Sequence, residues 1–193
     1  MKDKPAKNEV ILKIQPQDTV VDSTQQARYL RDVTLRPQYL TGDKWVVVDV
    51  NDVDSFSTPA AEVLIVPWLK TGEPAPSSCR APVGIKTYST TVRDAFSTVL
   101  KRADEFVYWL PAEQNKHAEQ ELIGNVPSEA PEIMHVVRDL GDDATEALVV
   151  QKLTTQTARD AFDRLKRYGA LVVKDGDRIR VPFGPNVANG HTP

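Results

Sequence analysis

Residues 153–181 have the sequence LTTQTARDAFDRLKRYGALVVKDGDRIRV, and this stretch carries the clearest pattern in the chain. Apolar residues recur at steps of three and four after a cap at Thr154, which predicts an amphipathic helix that Gly169 ends with a left-handed C-cap. The segment after the glycine predicts a β-hairpin over 170–181, with a type I′ turn at residues 175–176. The apolar face of the helix comprises Ala158, Ala161, Phe162, Leu165 and Tyr168.

Two further helices are predicted just before this one. Ser128 opens an amphipathic segment that runs to Leu140 and stops at Gly141. A capping box at residues 143–146 then leads into a short helix over 147–152. Only Leu153 separates this helix from the cap at Thr154, so the sequence predicts a tight helix-turn-helix.

From Ser128 to Val181 the chain resembles the winged helix-turn-helix domains of bacterial and archaeal transcription regulators. The resemblance lies in the TxxTARDAFDRLKRYGAL run and the Asp-Gly hairpin that follows it. It implies a recognition helix with a hairpin wing, and duplex DNA as the partner.

The N-terminal part predicts alternating strands and helices. A continuous β-branched run at 45–50 indicates a strand covered on both faces, and the helix that follows it is predicted to break or kink at Pro67. We therefore expect an α+β chain, in which an N-terminal α/β sheet domain precedes the winged helix-turn-helix. The other predicted strands are 9–14 and 106–110, with a hairpin extension at 19–21; the predicted helices are 24–33, 60–66 and one after Ser89 or Thr90, and 71–83 is predicted as a loop.

This N-terminal part, over residues 9–109, resembles STAS and STAS-like domains of partner-switch proteins. The resemblance rests on a buried strand, the loop VNDVDSF, and Ser57 with Thr58 at a helix start. In that family the helix opens with an Asp-Ser pair whose serine is phosphorylated to break a protein contact. The resemblance implies a partner-switch site at Ser57 and Thr58, although this sequence has no Asp there.

The predicted organisation is an α/β domain at 9–110, a linker at 111–127, the winged helix at 128–183 and a flexible tail at 184–193. The linker is polar and bounded by prolines. The string RDAF occurs at residues 93–96 and again at 159–162, which is compatible with a duplicated winged helix. We interpret the repeat as chance, because no tight helix-turn precedes the first copy.

Helical geometry places the polar residues of the helix that begins after Thr154 on its outward face, where Gln and Arg can contact base edges. Between Lys152 and Phe183 there are eight Lys or Arg and four Asp, a local cationic excess of four. A protein-contact or dimerisation surface remains the alternative use of this face, because Asp160 and Asp163 repel the DNA backbone. The predicted DNA-binding residues are Thr155, Gln156, Arg159, Arg164, Lys166, Arg167, Lys174, Arg178 and Arg180.

Composition excludes several other classes. The net charge of −3 gives no global attraction to nucleic acid, so DNA binding requires a local patch. The single cysteine, Cys79, excludes an intramolecular disulfide and suits a reducing compartment. We expect a cytoplasmic protein without a membrane span, and a homodimer or a complex with a protein partner.

Enzyme chemistry has little support in the sequence. The three histidines lie far apart, and the nine glycines form no phosphate-binding loop. Four carboxylates lie on or after the predicted buried strand, where a nuclease would bind its metal, but they lack the lysine that such a site requires; they are Asp49, Asp52, Asp54 and Glu62. We expect no catalytic activity, no metal and no cofactor.

Overall fold

The computed structural model describes residues 9–41, 44–72, 79–111, 120–174 and 176–183. Within these ranges the chain is a mixed α/β protein with a sheet in which most strands are parallel. The predicted tail at 184–193 and the turn residue Asp175 lie outside the described residues.

The strands are β1 (Glu9–Lys13), β2 (Val20–Val21), β3 (Trp45–Asp49), β4 (Ser55–Phe56), β5 (Val83–Thr87), β6 (Phe106–Pro111), β7 (Glu121–Gly124), β8 (Val172–Lys174) and β9 (Arg178–Arg180). The helices are α1 (Thr24–Thr34), α2 (Thr58–Thr71), α3 (Thr90–Arg102), α4 (Ala130–Leu140), α5 (Glu146–Lys152) and α6 (Gln156–Arg167).

The main sheet has the strand order β1, β3, β5, β6, β7. The first four strands are parallel, and β7 pairs antiparallel with β6 at one edge. Val46, Val47 and Val48 of β3 are all buried, as the prediction of a doubly covered strand requires. Each of α1, α2 and α3 connects two neighbouring parallel strands, and all three connections run in the same direction across the sheet. Because such crossovers are right-handed, the three helices lie on a single face of the sheet.

Three serines start the three helices of this layer. The hydroxyls of Ser23, Ser57 and Ser89 accept backbone N–H bonds from the residues three positions further on. Each bond satisfies an amide that has no partner inside the helix. The cap of α2 is therefore Ser57, and Thr58 is the first residue of the helix.

Of the break or kink predicted at Pro67, the break does not occur, because α2 continues through it to Thr71. A proline cannot donate the bond that would normally reach the carbonyl four residues earlier, here Val63. The guanidinium of Arg31 donates to this carbonyl at 3.3 Å. The side chain from α1 thus replaces the missing bond, and Pro67 itself lies exposed on the outer side of the helix.

Three more expectations differ from the structure. No strand was predicted between the loop at 71–83 and the helix after Ser89 or Thr90, but Val83–Thr87 forms β5, the central strand of the sheet. The segment at 111–127 was predicted as a linker, but Glu121–Gly124 forms β7 and so belongs to the sheet. The predicted hairpin near Val21 is instead a short parallel pair of β2 with β4. All three depend on pairing with distant strands, which local patterns do not record.

Residues 128–183 form three helices and an antiparallel hairpin, here called the helix–hairpin unit. Thr145 caps α5 and Thr155 caps α6, whereas the sequence predicted caps at Asp143 and Thr154. The predicted glycine stop after α6 is confirmed, since Gly169 has a φ of 74°.

Strand β6 belongs to two hydrophobic cores. Val107 and Trp109 pack in the core between the sheet and helices α1 to α3. Phe106 and Tyr108 pack in the core of the helix–hairpin unit. Because successive strand residues point to opposite faces, the unit covers the sheet face that α1 to α3 leave open.

Candidate nucleic-acid interface

Helix α6 has one buried face and one exposed face. Ala158, Ala161, Phe162 and Leu165 are buried, as the sequence predicted. The opposite face carries both cationic and acidic side chains and lies in solvent. The exposed residues of α6 are Gln156, Thr157, Arg159, Asp160, Asp163 and Arg167.

The start of α6 is ordered by short-range polar contacts. The Thr155 hydroxyl accepts the Ala158 N–H at 3.1 Å, and the Gln156 amide donates to Asp160 at 2.8 Å. Arg159 Nε donates to the Leu153 carbonyl at 3.3 Å. These bonds hold polar side chains at the positive end of the helix dipole, where the negative charge of a phosphate is favoured.

The hairpin is attached to the segment that precedes α5. The Ile179 N–H donates to the Ala144 carbonyl at 2.7 Å, and the Glu146 N–H donates to the Asp177 carbonyl at 3.0 Å. Ile179 is buried, so the alternation of the strand leaves Arg178 and Arg180 exposed on the other side. The Arg180 guanidinium lies 3.6 Å from the exposed carboxylate of Asp142.

Two predicted DNA-binding residues are occupied inside the protein. Arg164 donates to Asp104 at 2.6 Å, and its guanidinium lies over the rings of Phe106 and Tyr168. Lys166 is only 14% exposed and contacts Glu146 at 2.6 Å and Asp163 at 3.1 Å. These side chains connect α6 to the rest of the chain, so they are not available to a ligand without breaking ion pairs.

The electrostatics of Lys166 agree with this internal role. Partial burial by itself lowers the pKa of this ammonium, but the hydrogen bonds and the charge attraction of Glu146 and Asp163 together outweigh burial and leave the pKa raised. Lys174 is also turned inward, since its ammonium lies 5.3 Å from the ring centroid of Trp45. The exposed cations of the predicted set are therefore Arg159, Arg167, Arg178 and Arg180.

A junction that the sequence did not indicate attaches the unit to the sheet. Arg80 and Glu105 form an ion pair at 2.7 Å in which both side chains are almost fully buried. The same guanidinium donates to the carbonyls of Phe106 and Tyr168. Arg80 lies in a segment rich in Pro and Ser whose composition predicts only a loop, so no local signal identified it.

A hydrogen bond from a buried tyrosine and a close approach between two backbone segments complete this junction. The Tyr108 hydroxyl donates to the Ala170 carbonyl at 2.7 Å, and burial raises the pKa of this phenol. Gly169 packs so closely against the neighbouring backbone that a Cβ there would lie 2.6 Å from the Arg80 carbonyl oxygen. The sequence held one indication of this junction, namely the large aromatic residues on both faces of β6. They indicate that both faces of the strand are covered.

The predicted partner-switch residues lie at the start of α2, far along the chain from α6. The Ser57 hydroxyl donates to the Asp22 carbonyl at 3.0 Å and accepts the Ala60 N–H at 3.3 Å. Thr58 is the first residue of the helix and is half-buried. Ser57 thus has a structural role as a helix cap.

No protein-family model, curated protein or solved structure matches the chain. Within the described ranges, no group of three or more His, Cys, Asp or Glu is arranged to hold a metal ion. None of the helices in those ranges has both the length and the apolar character needed to cross a membrane.

Proposed function

We propose that the chain binds duplex DNA as a cytoplasmic transcription regulator, with the helix–hairpin unit acting as a winged helix-turn-helix. The observation that carries the proposal is the separation of the two faces of α6. One face is committed to the core, and the other presents Gln156, Arg159 and Arg167 to solvent. In such domains the second helix of the turn enters the major groove, and Gln and Arg contact adenine and guanine edges.

The hairpin supports the same proposal. Arg178 and Arg180 are exposed on one side of β9, and the other side is anchored by buried Ile179. A wing with this arrangement supplies phosphate contacts, which give affinity rather than sequence preference. We therefore assign affinity to the two wing arginines and sequence preference to Gln156 and Arg159.

The test is fluorescence anisotropy of a labelled random duplex over a series of salt concentrations. The variant Arg178→Ala/Arg180→Ala removes two cations from the wing and should reduce the slope of log K against log salt by about 2. The matched control is Lys70→Ala/Lys101→Ala, which removes the same charge from exposed positions on α2 and α3. Equal effects of the two variants, or an absence of binding at low salt, would refute DNA binding through the wing.

A protein-contact function is the second candidate, because acidic and apolar residues are also exposed on this unit. Asp160 and Asp163 lie on the outer face of α6, and Leu148 and Val173 are each more than a third exposed. In this alternative the N-terminal domain is STAS-like and Ser57 with Thr58 is a partner-switch site. Phosphorylation of Ser57 would remove the proton that its hydroxyl donates to the Asp22 carbonyl and would place negative charge beside that carbonyl, so it would break the contact between the start of α2 and Asp22. A partner held mainly by apolar contacts would bind with little dependence on salt.

A further inference from the structure

Strand β1 forms an edge of the main sheet, and among the described residues it pairs only with β3. The Ile14 N–H, just after the strand, donates to the Asp49 carbonyl at 2.9 Å and so points toward β3. Backbone groups of successive strand residues point to alternate sides. The N–H and C=O groups of Glu9, Ile11 and Lys13 therefore point away from β3, toward the open edge.

The side chains of these three residues share one face of the sheet. Val10, Leu12 and Ile14 pack into the core beneath the helices, so Glu9, Ile11 and Lys13 lie on the other face. Ile11 is 50% exposed. The edge thus presents an apolar residue between a carboxylate and an ammonium.

Helix α1 adds apolar surface beside the same edge. Arg31 points toward α2, since its guanidinium donates to the Val63 carbonyl. Tyr29 and Val33 are two positions away on either side, so each is turned about 200° from Arg31 and faces away from α2. Tyr29 is 66% exposed and Val33 is 49% exposed. Four of the large hydrophobic residues that are exposed among the described residues, namely Ile11, Val20, Tyr29 and Val33, lie in β1, β2 and α1.

We propose that β1 pairs antiparallel with β1 of a second copy of the chain, with the two-fold axis at Ile11. In this register Ile11 faces Ile11 of the second copy, and Glu9 faces its Lys13 at both ends. Each facing pair exchanges both of its N–H···O bonds, because the outward groups belong to these same residues. The two sheets become one continuous sheet, and α1 of each copy lies beside the other.

Self-complementarity is the reason to assign a second copy rather than another protein. A two-fold interface requires that one surface match itself, and Glu9, Ile11 and Lys13 do so only in the antiparallel direction. Parallel pairing would place Glu9 opposite Glu9 and Lys13 opposite Lys13, which is destabilising. Lys13 already contacts Asp52 at 3.0 Å, and its ammonium has three donors, so it can hold both carboxylates.

The interface does not depend on DNA binding, because none of its residues belongs to the helix–hairpin unit. It is tested by analytical ultracentrifugation of the full chain and of two charge variants, Glu9→Lys and Lys13→Glu. Wild type should sediment as a dimer. Each single variant should weaken dimerisation by roughly tenfold or more, because two attractive pairs become repulsive.

A mixture of the two variants provides the sharpest outcome. At the paired positions 9 and 13, the Glu9→Lys chain carries two lysines and the Lys13→Glu chain carries two glutamates, so their equimolar mixture should form a heterodimer. The double variant Glu9→Lys/Lys13→Glu restores one charge of each sign and should dimerise again. Asp52→Asn controls for loss of the Lys13 ion pair, and circular dichroism checks that each chain is folded. A wild type that stays monomeric, single variants that dimerise like wild type, or a mixture that stays monomeric would each overturn the proposal.

Discussion

The junction between the sheet and the helix–hairpin unit uses arginine differently from the exposed face of α6. At the junction, Arg80 and Arg164 have carboxylate partners, and aromatic rings lie against their guanidinium groups. By contrast, neither Arg167 on the exposed face of α6 nor Arg178 on β9 forms an ion pair with any described residue. A cation whose interactions are already satisfied supports the architecture, whereas an exposed cation without a partner is available to a phosphate. Residue type alone does not distinguish the two roles.

The strongest way to break the junction is Arg80→Ala. This change leaves Glu105 buried without its partner, so we expect the free energy of unfolding to fall by about 3–5 kcal/mol. Urea unfolding followed by circular dichroism measures the loss. The double variant Arg80→Met/Glu105→Leu should recover most of it, because it removes both charges together. A loss below about 1 kcal/mol for Arg80→Ala would mean that water reaches the pair and that the junction is weaker than its burial indicates.

A smaller effect is expected for Gly169→Ala. The residue has a φ of 74°, and its new Cβ would lie 2.6 Å from the Arg80 carbonyl oxygen. The matched control is Gly176→Ala, where φ is 96° but nothing lies within 4 Å of the added carbon. The control should cost about 1–2 kcal/mol for the backbone conformation alone, and Gly169→Ala should cost more. Equal losses in thermal unfolding would show that the close approach contributes nothing.

Arg164 and Arg167 lie three residues apart on α6, so they compare an arginine that has partners inside the protein with an exposed one on the same helix. Arg164→Ala should lower stability by about 1 kcal/mol, because a partly exposed ion pair and its aromatic contacts are lost. DNA binding should not change. Arg167→Ala should leave stability within about 0.5 kcal/mol of wild type.

The same Arg167→Ala change should lower the salt slope of DNA binding by about 1 if this side chain contacts a phosphate. Thermal unfolding and fluorescence anisotropy on both variants give four measurements. The reverse pattern, in which Arg164→Ala weakens binding and Arg167→Ala does not, would contradict the separation of roles.

Much of the fold could be predicted because its determinants are local. Gly169 and the spacing of Ala158, Phe162 and Leu165 specify where α6 lies and which face it buries. The β-branched run of β3 likewise identifies a covered strand without reference to any other part of the chain.

The errors have non-local causes. Strand β5 contains Gly84, whose missing side chain leaves room for Leu110 and Phe183, and its stability comes from the two strands that flank it. The role of Arg164 depends on Asp104, sixty residues earlier in the chain, and that of Lys166 on Glu146. The exposed face of α6 was predicted from helical periodicity, but periodicity does not reveal which cations have partners elsewhere.

The alternation of β6 between two cores has a consequence for folding cooperativity. Phe106 and Tyr108 can be buried only when the helix–hairpin unit is in place, and the same strand holds Val107 and Trp109 in the other core. Loss of either unit therefore exposes part of the strand on which the other depends. Although the chain has the pattern of two domains, heat should melt it in one calorimetric transition, and a chain ending before Val126 should expose two large aromatic side chains and aggregate.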